Sequence, residues 1–160
     1  MKVRNYILLA IAAAGIAGAP MAAAQSPGPV IAGSCDVSSL PAKAQTFLDT
    51  YFKGVGIVKC EREYADGLYD VDLANGVEIE FDNDGVWVEV EAPARGVLDD
   101  AIVKATLPDK AYRHLHTQGQ QGRVEKVKVK TGGRYKVETN ARGIDTFVYS
   151  PDGVLILMED

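Results

Sequence analysis

The 160-residue sequence is poor in the side chains that most site chemistry needs: it holds two cysteines, two histidines and one tryptophan. That is too few for a zinc finger, an iron–sulfur site or a disulfide-dense miniprotein. A basic excess is also missing. Seventeen Lys and Arg against 22 Asp and Glu leave a net charge of −5, the wrong sign for neutralising phosphates, so no nucleic-acid partner is expected. Beyond the first two dozen residues there is no long hydrophobic run. What is present is a composition 47% hydrophobic and 24% charged, which supports a packed core rather than disorder.

The first segment reads as an export signal. Lys2 and Arg4 give a positive start, an apolar stretch runs from Tyr6 to about Ala19, and Ala22-Ala23-Ala24 supplies small residues before Gln25. Residues 1–24 fit a cleaved signal peptide, since the apolar run is shorter than the ~20 residues of a spanning helix. Removing them predicts a periplasmic or secreted protein with no membrane insertion. Residues 25–36 are rich in Pro, Gly and small side chains and read as a flexible leader. In an oxidising compartment a Cys35–Cys60 disulfide is expected, worth on the order of 3–4 kcal/mol in the chain-entropy picture. Two free thiols are the alternative.

The remaining chain repeats itself. Leu40-Pro41-Ala42-Lys43-Ala44 returns as Leu107-Pro108-Asp109-Lys110-Ala111, Tyr69-Asp70-Val71 as Tyr135-Lys136-Val137, and Asp84-Gly85-Val86 as Asp152-Gly153-Val154. Small shifts in the offset are what loop insertions leave between copies of one unit. The fold class expected is α+β: two tandem repeats, residues 37–92 and 97–160, each a helix followed by a four-stranded antiparallel meander, with the helices on one face of the sheet. Pro41 and Pro108 suit helix starts, and Asp66-Gly67, Asn75-Gly76 and Asp84-Gly85 are hairpin signals. A short extra helix is expected within 97–106.

Alternation assigns faces. The expected helix side of the first repeat carries Val58, Cys60, Tyr69, Val71, Val77, Ile79, Phe81, Val86, Val88 and Val90. In the second it carries Val127, Val129, Tyr135, Val137, Ile144, Val148, Val154, Ile156 and Met158. The opposite, open face collects the carboxylates of the first repeat with Trp87, then Lys126, Lys128, Lys130, Arg134 and Lys136 with Phe147, Tyr149, Leu155 and Leu157. Charge divides the same way: residues 40–92 hold 4 basic and 12 acidic side chains, residues 107–160 hold 9 and 7. The alternating lysines 126, 128 and 130 read as protection of a sheet edge.

Chemistry is not evident. Asp82-Asn83-Asp84-Gly85 lacks the later ligands of a calcium loop, with Val86 where an oxygen donor is needed, and reads as a turn. His114 and His116 point about 200° apart on a helix and read as solvated. No serine lies in a nucleophile elbow and no Gly-rich phosphate loop precedes a helix. No catalytic residue, metal site or cofactor is expected, and the chain is not read as an enzyme.

The run Tyr69-x-Val71, Asn75-Gly76-x-Glu78-Ile79-x-Phe81-Asp82-x-x-Gly85 resembles the PepSY-like family, described as like the β-lactamase inhibitor proteins in fold. The second repeat departs from it at Asn140-Ala141-Arg142-Gly143 and Ser150-Pro151. The resemblance implies an exported domain whose open sheet face can take a protein, and it carries over no catalytic residues. Trp87, Phe147, Tyr149, Leu155 and Leu157 are the expected contacts for such a partner, with inhibition of a secreted or periplasmic enzyme as one outcome and a second copy of the chain as another occupant. A periplasmic ligand or cation sensor and an envelope structural protein without a ligand stand as alternatives.

Overall fold

A computed structural model describes residues 36–63 and 66–160. The expected signal peptide, nearly all of the leader and Cys35 lie outside the described residues. Among the described residues the fold is α+β, with three α-helices and one eight-stranded antiparallel sheet whose strands are ordered as in the sequence. The strands are β1 (Ile57–Arg62), β2 (Tyr69–Leu73), β3 (Glu78–Phe81), β4 (Trp87–Glu91), β5 (Val124–Lys130), β6 (Arg134–Thr139), β7 (Thr146–Tyr149) and β8 (Leu155–Glu159). Helix α1 (Ala42–Tyr51) precedes β1; α2 (Asp100–Thr106) and α3 (Asp109–Thr117) precede β5. The short extra helix expected before the second half is α2.

The turns form where the residues permit them. Gly76, Gly85 and Gly153 have φ of 82°, 74° and 82°, a region that costs other residues a Cβ clash. In the β3–β4 turn the Asp82 carboxylate accepts from the Asp84 and Val86 amides, each at 2.9 Å. Asp82 is thereby used by the turn itself. Gly85 and Gly153 serve packing as well. A Cβ at Gly85 would stand 2.7 Å from Pro41 Cβ and 2.9 Å from Ala44 N, and one at Gly153 would stand 2.8 Å from Ala111 N and 2.9 Å from Pro108 Cβ. Each helix start lies directly on the last hairpin of its half.

Cross-strand register carries one apolar row through the sheet: Cys60, Val71, Ile79, Val90, Val127, Val137 and Phe147 are successive partners. This row shares a buried cluster with Leu40, Ala44 and Leu48 of the first helical segment and Ile102, Val103, Ala111 and Leu115 of the second. Phe47 meets Phe81 edge to face at 5.8 Å between centroids, and His114 meets Phe147 and Tyr149 at 6.2 and 5.7 Å.

Alternation fails where the ladder slips. Register shifts occur between Glu80 and Phe81, which faces Trp87, and between Val148 and Tyr149, which faces Leu155. An extra residue in one strand reverses the sidedness of the residues beyond it. Trp87 is thus the partner of Phe81, on the apolar side, where its ring lies 6.4 Å from Tyr135. Phe147 pairs with Val137, and Tyr149 with both Tyr135 and Leu155, on that same side. Phe147 and Tyr149 are buried, at 3% and 0% exposure; Trp87 and Leu155 are half-buried against the cluster. The open-face assignment of these four is corrected. Val58, Val86, Ile144, Val154, Ile156 and Met158, expected in the core, are all exposed, although Met158 keeps its expected side as the partner of Phe147.

Candidate binding face

On the face opposite the apolar row, two rows of polar side chains cross the sheet. One runs Glu61, Asp70, Glu80, Glu89, Lys128, Lys136, Val148, Leu157; the other runs Lys59, Asp72, Glu78, Glu91, Lys126, Glu138, Thr146, Glu159. Period-two strands place these residues together because alternate positions within each strand face this side. The face is acidic over β2–β4, turns basic at β5 and β6, and ends in Val148 and Leu157. Of the five expected contact residues, only Leu157 lies here, and it is exposed.

Over the acidic half the sheet forms a depression of about 360 Å³ lined by Lys59, Asp70, Val71, Asp72, Glu78, Ile79, Glu80, Glu89 and Glu91. Its wall toward the second half is an ion-pair seam. Lys126 Nζ lies 2.8 Å from Glu89 Oε1 and 2.5 Å from Glu91 Oε2; Lys128 Nζ contacts Glu89 Oε2 and lies 3.8 Å from Glu80. Glu89 is 7% exposed. Burial pushes its carboxyl up, but the bonds from Lys126 and Lys128 outweigh that and hold it below the usual carboxylate value. Burial raises the Glu80 carboxyl, and the charge of Glu89 adds to the rise. Burial opposes the Lys126 charge, yet the bonds to Glu89 and Glu91 hold this ammonium above its ordinary range. Lys128 is held up first by its bond to Glu89.

The lysine strip is therefore not edge protection. β5 sits in the middle of the sheet between β4 and β6, and its Lys126 and Lys128 answer the carboxylates of β4. The signal that identifies them is the pairing of Glu89 with Lys128 and Glu91 with Lys126, which needs only the assumption that the two halves join strand to strand. His114 is also not solvated: it is half-buried, with Nδ1 2.9 Å from the Tyr149 hydroxyl. Cys60 is half-buried, and its expected partner Cys35 lies outside the described residues. Among the described residues no group of three or more His, Cys, Asp or Glu is placed to hold a metal ion, and no helix is long and apolar enough to cross a membrane.

Solved structures share this fold. One from Bacteroides vulgatus, described as "a putative periplasmic protein of unknown function", is 20% identical over 79% of this chain and 97% of its own, with a TM-score of 0.62. One from Bacteroides thetaiotaomicron, described as "a putative calcium-regulated periplasmic protein", is 24% identical over 79% of this chain and 94% of its own, also with a TM-score of 0.62. No curated protein matches the sequence. Residues 67–156, more than half of the chain, match the family described as "Putative beta-lactamase-inhibitor-like, PepSY-like", and the chain belongs to that family.

Proposed function

We propose that the chain is an exported, non-enzymatic protein-binding module of the periplasm, which takes a protein partner on the open face of its sheet and inhibits it where that partner is a secreted or periplasmic enzyme. The observation that carries this reading is the division of that face into an acidic depression over β2–β4 and a lysine ridge on β5 and β6. Opposed charge on one exposed sheet surface orients a partner and sets its encounter rate more than it holds it. Export is supported by the pattern of residues 1–24 and by relatives described as periplasmic. The unit proposed is a tandem pair, 37–92 and 97–160, with both helical segments on the apolar side. Its support is the matched packing of Gly85 on Pro41 and Ala44 and of Gly153 on Pro108 and Ala111.

The contacts expected of Trp87, Phe147, Tyr149 and Leu155 move to the charged face, and Leu157 stays at its margin. Affinity capture from native envelope extract with wild type, Glu78→Lys and Lys136→Glu tests this. Loss of a specific partner in the charge-reversed proteins, with folding intact, supports the reading; equal recovery by all three removes the open face from the account. A second reading, a periplasmic cation sensor, is favoured by the carboxylates of the depression and by the relative described as calcium-regulated. Titration calorimetry with calcium separates the two: saturable binding at low stoichiometry favours the sensor, and diffuse heats that vanish with added salt favour the module.

A further inference from the structure

Three hairpins of the sheet close on one pattern. In each, a glycine amide donates to the carbonyl three residues back: Gly76 to Leu73 at 2.8 Å, Gly85 to Asp82 at 2.9 Å and Gly153 to Ser150 at 2.9 Å. All three glycines hold a positive φ, which fixes glycine at that place in the turn. The residue before the glycine is Asp84 in the second of these turns and Asp152 in the third, but Asn75 in the first. We infer that Asn75 is a site of spontaneous deamidation in the folded protein, and that the aspartate formed is one the turn accepts.

The chemistry needs only water. The Gly76 amide nitrogen attacks Cγ of Asn75 as its own proton leaves to solvent, the Cγ–Nδ2 bond breaks, and ammonia departs. Water then opens the five-membered imide at either carbonyl, leaving aspartate or its β-linked isomer. A following glycine favours the attack because no side chain shields its nitrogen. Gly76 is held in place by the fold: its φ is 82°, and a Cβ there would stand 2.8 Å from Pro93 Cβ. The reactive pair is therefore built into the turn.

Surroundings single out this residue among the described asparagines. Residues 74–76 are all exposed. Asn83 is followed by Asp84, and its Oδ1 accepts from the Arg62 guanidinium at 3.0 Å; Asn140 is followed by Ala141. At Asn75 the Val77 amide donates to the side-chain Oδ1 at 3.2 Å. The same bond is made to a carboxylate in the β1–β2 hairpin, where the Leu68 amide donates to Asp66 Oδ1 at 3.2 Å. Aspartate in place of Asn75 keeps that acceptor. It also adds a negative charge to residues 40–92, which already hold 12 acidic against 4 basic side chains. The β-linked isomer instead lengthens the backbone inside a turn closed by the Leu73 amide on the Val77 carbonyl at 2.9 Å, and does not fit the bonds that join β2 to β3.

Purified mature protein held folded at mildly alkaline pH and body temperature tests this, with Asn75→Asp and Asn75→Ser alongside. Ion exchange is expected to resolve an acidic species of wild type that grows with time, elutes with Asn75→Asp and maps to position 75 by peptide mass. Asn75→Ser should stay a single species. Asn75→Asp should unfold at the wild-type temperature. Wild type that stays a single species while the urea-unfolded chain converts, an acidic species that maps to Asn83 or Asn140, or an Asn75→Asp protein that unfolds at a clearly lower temperature would each overturn the inference.

Discussion

The imidazole of His114 meets the hydroxyl of Tyr149 at 2.9 Å, in the place where Phe47 meets the ring of Phe81 in the first half. Tyr149 is fully buried, so its hydroxyl needs a partner inside the protein, and α3 supplies it. Tyr149→Phe leaves the His114 nitrogen without its bond and should cost about 1–2 kcal/mol. His114→Phe combined with Tyr149→Phe copies the aromatic pair of the first half and should recover most of that loss. Urea unfolding of the two single variants and the double closes the cycle. Strict additivity would show that the contact carries no coupling.

The same tyrosine sets a basic limit. Burial pushes the Tyr149 phenol far above its ordinary value, so the folded state keeps a proton that the unfolded chain releases near pH 10. The stability this proton represents is whole below about pH 10 and falls as pH rises beyond it. Wild type should therefore lose stability between pH 9 and about pH 11 more steeply than Tyr149→Phe, as measured by chemical unfolding at each pH.

The acid side depends on Glu89. Its carboxyl lies below the ordinary value of 4.5 despite burial. The unfolded chain therefore takes up this proton first, and the contribution is present above about pH 4.5 and lost as pH falls through the folded value. Glu80 has the opposite sign: its raised carboxyl gains stability on protonation in the same region. Glu89→Gln should flatten the acid slope and lower stability at pH 7 by about 1–3 kcal/mol, leaving Lys126 with Glu91 and Lys128 with Glu80. An unchanged slope between pH 5 and about pH 3 would assign acid sensitivity to other carboxylates.

Local chemistry made much of the fold legible. Asn75-Gly76, Asp84-Gly85 and Asp152-Gly153 are turns because only glycine takes their positive φ cheaply, and Pro41 and Pro108 mark helix starts for an equally local reason. The faces were legible only up to the first slip. In β7 the run Phe147-Val148-Tyr149 is apolar at every position, so periodicity cannot choose a side, and the register slip between Val148 and Tyr149 breaks the alternation between β7 and β8. Trp87 was misplaced by the equivalent bulge. The seam of Glu89 with Lys126 and Lys128 was hidden because it joins strands separated by two helices, and its residues acquire meaning only when β4 is set beside β5.

Cys60 gives a simple chemical prediction. It lies half-buried on β1 as the partner of Val71, and an exported chain would bring it to an oxidising compartment with Cys35. Alkylation of the purified periplasmic protein without reductant, read by intact mass, should show no accessible thiol. Two alkylated cysteines would exclude the bridge.

The glycines of the two last hairpins test whether the halves dock their helices alike. Gly85 and Gly153 combine a φ above 70° with no room for a methyl group, since Pro41 and Ala44 close over the first and Pro108 and Ala111 over the second. Gly143 has a φ of 90° with nothing within 4 Å of its would-be Cβ. Alanine at Gly143 therefore carries the backbone penalty alone, about 1 kcal/mol. At Gly85 or Gly153 it adds a clash with helix backbone that cannot rotate away, and the loss should exceed about 2 kcal/mol at either site. Thermal unfolding of the three single variants measures this directly. If Gly85→Ala and Gly153→Ala lose no more than Gly143→Ala, the helix starts can lift from their hairpins at little cost, and close docking is not what holds α1 and α3 in place. If one is costly and the other is not, the halves differ in how tightly their helices are seated, despite the matched residues beneath them.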